Sequence, residues 1–379
     1  MDQKGLISQI IQEYDSQGWH RTGTKTDHES AGWLADKVQE LGVDVEAERF
    51  ELSLIDPGAC YLEVDGQRIE GLPMYDGTFT GPEGTYGQIG ELGSSAEIGL
   101  IEVTGTRLPE VLQSVRRSGD HNGIVCVAMG AHPGLMAMNA YDFRAPFGPP
   151  ILQVGSEAQA VLAEASQRGA GVRLTASVTR SDAESFNVVG RLKGSDEALS
   201  PLVVMTPRSG WWHCASERGG GLACWLEVMR TLSEAGSPRD VIFVATSGHE
   251  LGTYGISAFL EHRPGFVKSA CAWIHFGANI GASQGPSARF SATDGDLERQ
   301  TQGAIERAGA NSATPAPRGT TVGDESQEVA RQGGRVVAMV GGNALFHLES
   351  DRWPEAVDVE AVAAFANAFA DVALQLVKS

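Results

Sequence analysis

LVVMTPRSGWWHCASERGGGLACWLEVMRTLSEAGSPRDVIFVATS, residues 202–247, decides the fold. LVVMT (202–206) and VIFVATS (241–247) are continuous apolar runs of the kind that suits strands buried on both faces. Between them, GLACWLEVMRTLSEAG (221–236) has the length and apolar spacing of a helix and stops at Gly236. A strand, a helix and a second strand in this order predict a parallel β-α-β crossover. Working outward, FNVVGRLKG (186–194) leads into the unit. The segment after Gly252 reads as a helix, and ACAWIHF (270–276) and GRVVAMV (334–340) read as two more strands. The last twenty residues, from about Val359, read as an amphipathic helix. The expected fold is α/β, a mostly parallel or mixed sheet with helices on both faces. In such sheets the active site lies at the carboxyl ends of the strands.

Towards the N-terminus, residues 3–17 and 28–42 read as helices. In the second, Ala31, Leu34, Val38 and Leu41 keep helical spacing, and VDVEAERFEL (43–52) alternates like a strand. Residues 55–183 change character. They are rich in Gly and Pro and carry short β-like runs, IGLIEV (98–103), GIVCVAM (123–129) and PILQV (150–154), with a helical SEAQAVLAEASQRG (156–169). The expected organisation is one domain from 1–54 and 184–379, with a small β-rich domain inserted at 55–183.

The 379 residues include 29 Lys+Arg and 48 Asp+Glu, a net charge of −19, with 42% apolar and 20% charged residues. A chain this apolar buries enough surface to fold, so disorder is not expected. Its negative charge argues against nucleic acid and anionic membranes as main partners. The N-terminal MDQKGLISQIIQEYDSQGW shows neither a long apolar stretch nor a small-residue cleavage site, so no secretory signal is expected. No run of about 18 apolar residues is found, and no membrane span is expected. Five widely spaced cysteines without a CxxC read as reduced, buried thiols. Together these place the chain in the cytoplasm.

Three loops at predicted strand ends carry the chemistry. Arg208, Ser209, His213 and Glu217 follow the first strand, His249 and Glu250 the second, and His347, Glu349 and Asp351 the last. Two carboxylates and an imidazole converging from different loops are a donor set for one divalent metal.

These motifs resemble the co-catalytic di-zinc aminopeptidase family, which includes glutamate carboxypeptidase II and the glutaminyl cyclases. HRTGTKTDHESAGWLADKVQELGVDVEAERFEL (20–52) resembles the family's opening, and 55–183 resembles its protease-associated (PA) insert. SGHELGTYGISAFLEH (247–262) resembles the Glu-Glu-x-Gly phrase, and FHLESDRWPEAVD (346–358) the closing His-x-x-x-Asp phrase. The resemblance implies a hydrolase that cleaves a carbon–nitrogen or related bond in a small-molecule substrate, amino-acid-like or carboxylate-bearing, and it is compatible with a homodimer. A lyase on the same scaffold, or a pseudo-peptidase that only binds, are the alternatives.

Residue by residue, the match is uneven. The family's first His ligand is lost at Pro207-Arg208-Ser209, and the strand-end Asp ligand falls on Gly277. Glu217 stands for the bridging Asp, Glu250 for the second Glu and His347 for the final His. The resemblance therefore implies at most one metal, zinc with manganese or iron as alternatives, held by Glu217, Glu250 and His347, or none. His249 replaces the general-base Glu, and its imidazole titrates near neutrality. Ser209 is a candidate nucleophile and Arg208 a candidate carboxylate partner. His213, Trp211 and Trp212 are candidate lining of the substrate cleft.

Overall fold

A computed structural model of the protein describes residues 2–317 and 319–379. In chain order the elements are α1 (Gln3–Ser16), α2 (Lys25–Glu40), β1 (Asp44–Val64), β2 (Gln67–Pro73), β3 (Thr85–Glu91), β4 (Ile98–Thr104), α3 (Glu110–Ser118), β5 (Gly123–Met129), β6 (Ile151–Gly155), α4 (Gln159–Gln167) and β7 (Gly171–Leu192). They continue with β8 (Leu202–Pro207), α5 (Gly220–Ala235), β9 (Val241–Thr246), α6 (Tyr254–Glu261), α7 (Phe266–Ser269), β10 (Ala272–Phe276), β11 (Ser287–Ala292), α8 (Gly295–Arg307), β12 (Ala313–Pro315), α9 (Asp324–Arg331), β13 (Val336–Gly342) and α10 (Val359–Lys378).

The strands form one mixed sheet in the order β1-β2-β6-β5-β4-β3-β7-β9-β8-β10-β13-β11-β12, with β1 also paired to β7. β9, β8, β10 and β13 are parallel neighbours, while β7 and β11 flank them antiparallel. Alternation explains why these runs are apolar throughout. On β8, Leu202 and Val204 join the cluster with Trp225 of α5 and Phe369 of α10, whereas Val203 and Met205 join Phe259 of α6 and Val329 of α9. Helices thus cover both faces, as the mixed-sheet reading expected.

α10 is long and apolar enough by composition to cross a membrane, but Phe365, Phe369, Val372 and Leu376 are buried against α5 and α8, as in a core helix. Of the five cysteines, all free, only Cys271 is partly exposed.

The inserted segment has its own topology. β1, β2, β6, β5, β4, β3 and β7 pair in turn, and the β1–β7 pairing closes the circuit. Leu62, Val64, Ile98, Val125, Leu152 and Leu174 from these strands make a separate apolar cluster with Leu162 of α4. No linker separates it from the larger domain, because β1 and β7 run through positions 54/55 and 183/184 unbroken.

Candidate active site

The loops after β8 and β9 are fastened to the α1–α2 connection by a buried polar network. Oε1 of Glu250 accepts from Thr22 N at 2.9 Å and Thr22 Oγ1 at 2.7 Å, and Oε2 accepts from Ser209 Oγ at 2.7 Å. Ser209 Oγ in turn accepts from Gly248 N at 2.8 Å and His249 N at 3.2 Å. Arg208 NH1 is 2.9 Å from Asp27 Oδ1, and its NH2 donates to Phe186 O at 2.6 Å. Asp27 also accepts from Gly23 N, Ser185 Oγ and Ser247 Oγ. The side chains of Thr22, Asp27, Arg208, Ser209 and Glu250 are buried, and of their polar atoms Arg208 Nε is the one without a partner. This corrects three expectations. Ser209 is not poised as a nucleophile, because its hydroxyl is fully engaged without a histidine partner. Arg208 is an internal counter-ion to Asp27 and not a substrate clamp. Glu250 does not join Glu217 and His347, because both its oxygens are occupied by Thr22 and Ser209.

A second buried cluster lies beside the first. The turn after Cys214, which has φ +57°, opens into a π-helical turn at Ala215–Gly219 ahead of α5. Asp351 fixes this turn by accepting from Ser216 N at 3.0 Å and Glu217 N at 2.9 Å, and burial pushes its carboxyl up to about 7. Glu217 Oε1 is 2.8 Å from Arg218 NH2 and 3.5 Å from His347 Nε2. Arg218 donates from Nε to Ser209 O at 2.7 Å, which joins the two networks. His249 Nδ1 lies 2.8 Å from Glu325 Oε1, and His275 Nε2 lies 3.3 Å from Glu325 Oε2.

Burial alone raises the carboxyls of Glu217 and Glu325, but neighbouring charge wins in both. His347, Arg218 and His249 hold Glu217 below the usual carboxylate value, and His249 and His275 hold Glu325 well below it. Burial lowers the His249 imidazole and Arg218 opposes its charging, yet Glu325 outweighs both and raises it. For His347 burial prevails and its imidazole is lowered, so the standing cation beside Glu217 is Arg218.

Three of the residues in this cluster escaped sequence reading. Arg218 follows Glu217 directly but gave no motif. His275 is hidden inside an apolar strand; it shares the parity of Trp273 and so faces α9. Glu325 sits at the start of α9, a short polar helix with no apolar period.

The insert reaches this site through residues 134–141. Ala137 N donates to His347 O at 3.2 Å, and His347 Nδ1 lies 2.5 Å from Ala137 O. Ala140 N donates to Glu250 O at 2.8 Å. Gly252, at φ +70°, is packed so closely that a Cβ there would lie 2.6 Å from Tyr141 O. Trp211 Nε1 donates to Asn139 Oδ1 and so fastens this contact, Trp212 Nε1 donates to His347 O within the larger domain, and neither indole lines the 470 Å³ cleft between the two. His213 Nδ1 lies 2.8 Å from Asp15 O, at α1.

The open cleft is elsewhere. About 470 Å³ lies between Arg107, Leu108, Gln113 and Tyr141 of the insert and Gly252, Thr253, Asp324, Gln327 and Arg331 of the larger domain. It adjoins the His249–Glu325 pair in sequence and space, since Thr253 N donates to His249 O and Asp324 precedes Glu325.

The metal implied by the resemblance is not fitted by these residues. Glu217 is ion-paired with a guanidinium, Glu250 is spent on Thr22 and Ser209, and Pro207 and Gly277 offer no donor side chain. Among the described residues no group of three or more His, Cys, Asp or Glu converges as a metal site.

A mixed sheet wrapped by helices, with buried His, Glu and Arg side chains at its strand ends, defines an aminopeptidase-type α/β scaffold. Residues 187–373 match the model of peptidase family M28. The same fold occurs in a zinc aminopeptidase from Bacillus subtilis, with 17% identity, 98% of this chain and 94% of that chain covered, and a TM-score of 0.79. It occurs in an aminopeptidase from an Aneurinibacillus species, with 13% identity, 98% and 93% covered, and a TM-score of 0.75. A peptidase M28 precursor from Shewanella amazonensis shares it too, with 15% identity, 100% and 97% covered, and a TM-score of 0.75. No curated protein matches the chain in sequence. Peptidases are hydrolases, so the scaffold is that of a peptidase-family hydrolase.

Proposed function

We propose that this chain hydrolyses a carbon–nitrogen bond in a small, carboxylate-bearing molecule, with His249 as general base and acid. The observation that carries the reading is the His249–Glu325 pair. Its 2.8 Å contact orients the ring through Nδ1 and leaves Nε2 free of protein partners. His249 keeps 7% of its surface exposed, against 1% for Glu217, Arg218, Glu325 and His347, so it is the member of the cluster that substrate meets. A base held by a second, charged group has the geometry that acid–base catalysis needs. Nε2 takes a proton from water as the water oxygen bonds to the carbonyl carbon. The same proton then passes to the nitrogen as the carbon–nitrogen bond breaks. The 470 Å³ cleft is of small-molecule size, and its rim carries Arg107, 3.3 Å from Asp324, and Arg331, 2.6 Å from Glu328, both exposed enough to exchange these partners for a substrate carboxylate.

The test is a panel of N-acyl amino acids and aminoacyl anilides, followed by mass spectrometry in chelator. Turnover of an N-acyl amino acid, lowered about 10²–10⁴-fold in His249→Gln and Glu325→Gln, is the expected result. Fast, chelator-sensitive turnover of the anilides overturns it.

The pH profile gives a further check. His249 faces Glu325 and Asp324 on α9 and Arg218 and Glu217 on the π-turn, and the balance raises its pKa above 6.5. Activity that needs the free base should rise with pH through that raised value. Glu325→Gln should move this limb to lower pH. The ion pair's contribution to stability runs the other way: it is complete below pH 6.5 and is lost as pH rises through the folded-state value.

A further inference from the structure

We infer that Arg218 is a built-in replacement for the divalent cation of the scaffold, so that the site assembles and stays assembled without metal. The inference stands apart from the proposed reaction and holds whether or not the site turns over substrate.

Four observations carry it. The Arg218 guanidinium is 1% exposed and comes from the residue next to Glu217, whose Oε1 it meets at 2.8 Å. Glu217 is the carboxylate that the resemblance places between two metals. A buried carboxylate requires a counter-charge, and here the chain supplies it covalently. The guanidinium is locked in place, since Nε donates to Ser209 O at 2.7 Å and Ser209 is itself held by Glu250.

The remaining donors have been reassigned consistently with this. Glu250, which the resemblance makes a ligand, fastens Thr22 and Ser209. The two other ligand positions are Pro207 and Gly277. Gly277 leaves no space for a carboxylate, because even a Cβ there would lie 2.7 Å from Val340 Cγ1.

The unpartnered polar atoms also cluster here. NH1 and NH2 of Arg218, Oε1 of Glu217 and Nε2 of His347 are all buried without a hydrogen-bond partner of good geometry. Those atoms sit within one constellation where Arg218 provides the positive charge. A divalent ion brought to Glu217 and His347 meets a permanent cation already ion-paired to the same carboxylate oxygen. Coulomb repulsion at such range in a buried site is strong.

The experiment uses the full chain, purified without metal-affinity steps. Metal per chain is counted by elemental analysis, melting is followed with and without EDTA, and zinc, manganese and ferrous iron are titrated calorimetrically. The expected result is far less than one metal per chain, no shift in Tm with EDTA and no calorimetric binding that depends on His347. Arg218→Met should lower Tm by about 5–10 °C, as expected when a buried pair is broken, while Arg218→Lys retains part of the loss because it keeps the charge. About one or more zinc, manganese or iron per chain, removed by EDTA with a fall in Tm, overturns the inference. So does zinc binding to the unaltered chain that His347→Ala abolishes. The unaltered chain gives a decisive answer even where Arg218→Met fails to fold. Metal content and melting decide this inference, whereas substrate turnover decides the reaction, so the two fail separately.

Discussion

Glu250→Ala should destabilise the protein by about 3–5 kcal/mol and leave its metal content unchanged. The carboxylate is 1% exposed and receives three hydrogen bonds, from Thr22 N, Thr22 Oγ1 and Ser209 Oγ. Truncation leaves those donors buried, at about 1–3 kcal/mol each before relaxation. It also frees Ser209, which holds the amides of Gly248 and His249. Glu250→Gln should cost less, since one oxygen survives, but its amide must face a donor. Denaturant unfolding of both variants measures this, and a double-mutant cycle with Ser209→Ala should show coupling of about 0.5–3 kcal/mol. A metal-ligand role predicts the opposite pattern, with loss of bound metal and a chelated protein that hardly notices the change.

Arg208→Met should cost a similar amount, about 3–5 kcal/mol, by stranding the Asp27 carboxylate in the interior. Arg208 is 1% exposed and Asp27 is 0% exposed, and Arg208 also caps the carbonyls of Asp27 and Phe186. Asp27→Asn added to Arg208→Met should recover part of the loss, because a neutral amide tolerates the missing cation. Unfolding free energies of the single and double variants test this. A substrate-clamp role for Arg208 predicts a raised KM on an equally stable fold.

The reading of 202–247 places a strand, a helix and a strand where β8, α5 and β9 are found, because short apolar runs on either side of a helical period suit strands buried on both faces. The stretch 287–331 was harder. β11, α8, β12 and α9 are short, half-polar elements at a sheet edge, and tertiary contacts rather than period decide them. Glu325 was hidden there, since an acidic residue at a helix start is ordinary in any helix. Arg208, Ser209 and Glu250 are legible at the right strand ends, but the sequence does not say which way a side chain turns. Structural and catalytic groups share the same loops, and only their partners tell them apart. One signal was available for Arg218: a cation set between a carboxylate and GGG (219–221), just ahead of an apolar helix, is bound for burial with that carboxylate.

β1 and β7 pair from Asp44↔Arg191 to Val64↔Val172, with a single register shift between Pro57 and Cys60. This ribbon is rooted at the edge of the parallel strands and carries the inserted domain along its length. Mechanically it is a beam. Its continuous ladder couples the insert to the parallel strands, and the one register shift, near Gly58, is where that coupling is interrupted. The 134–141 segment, bonded to His347 and Glu250, ties the insert to the strand-end loops at a second point, so the beam is supported at both ends.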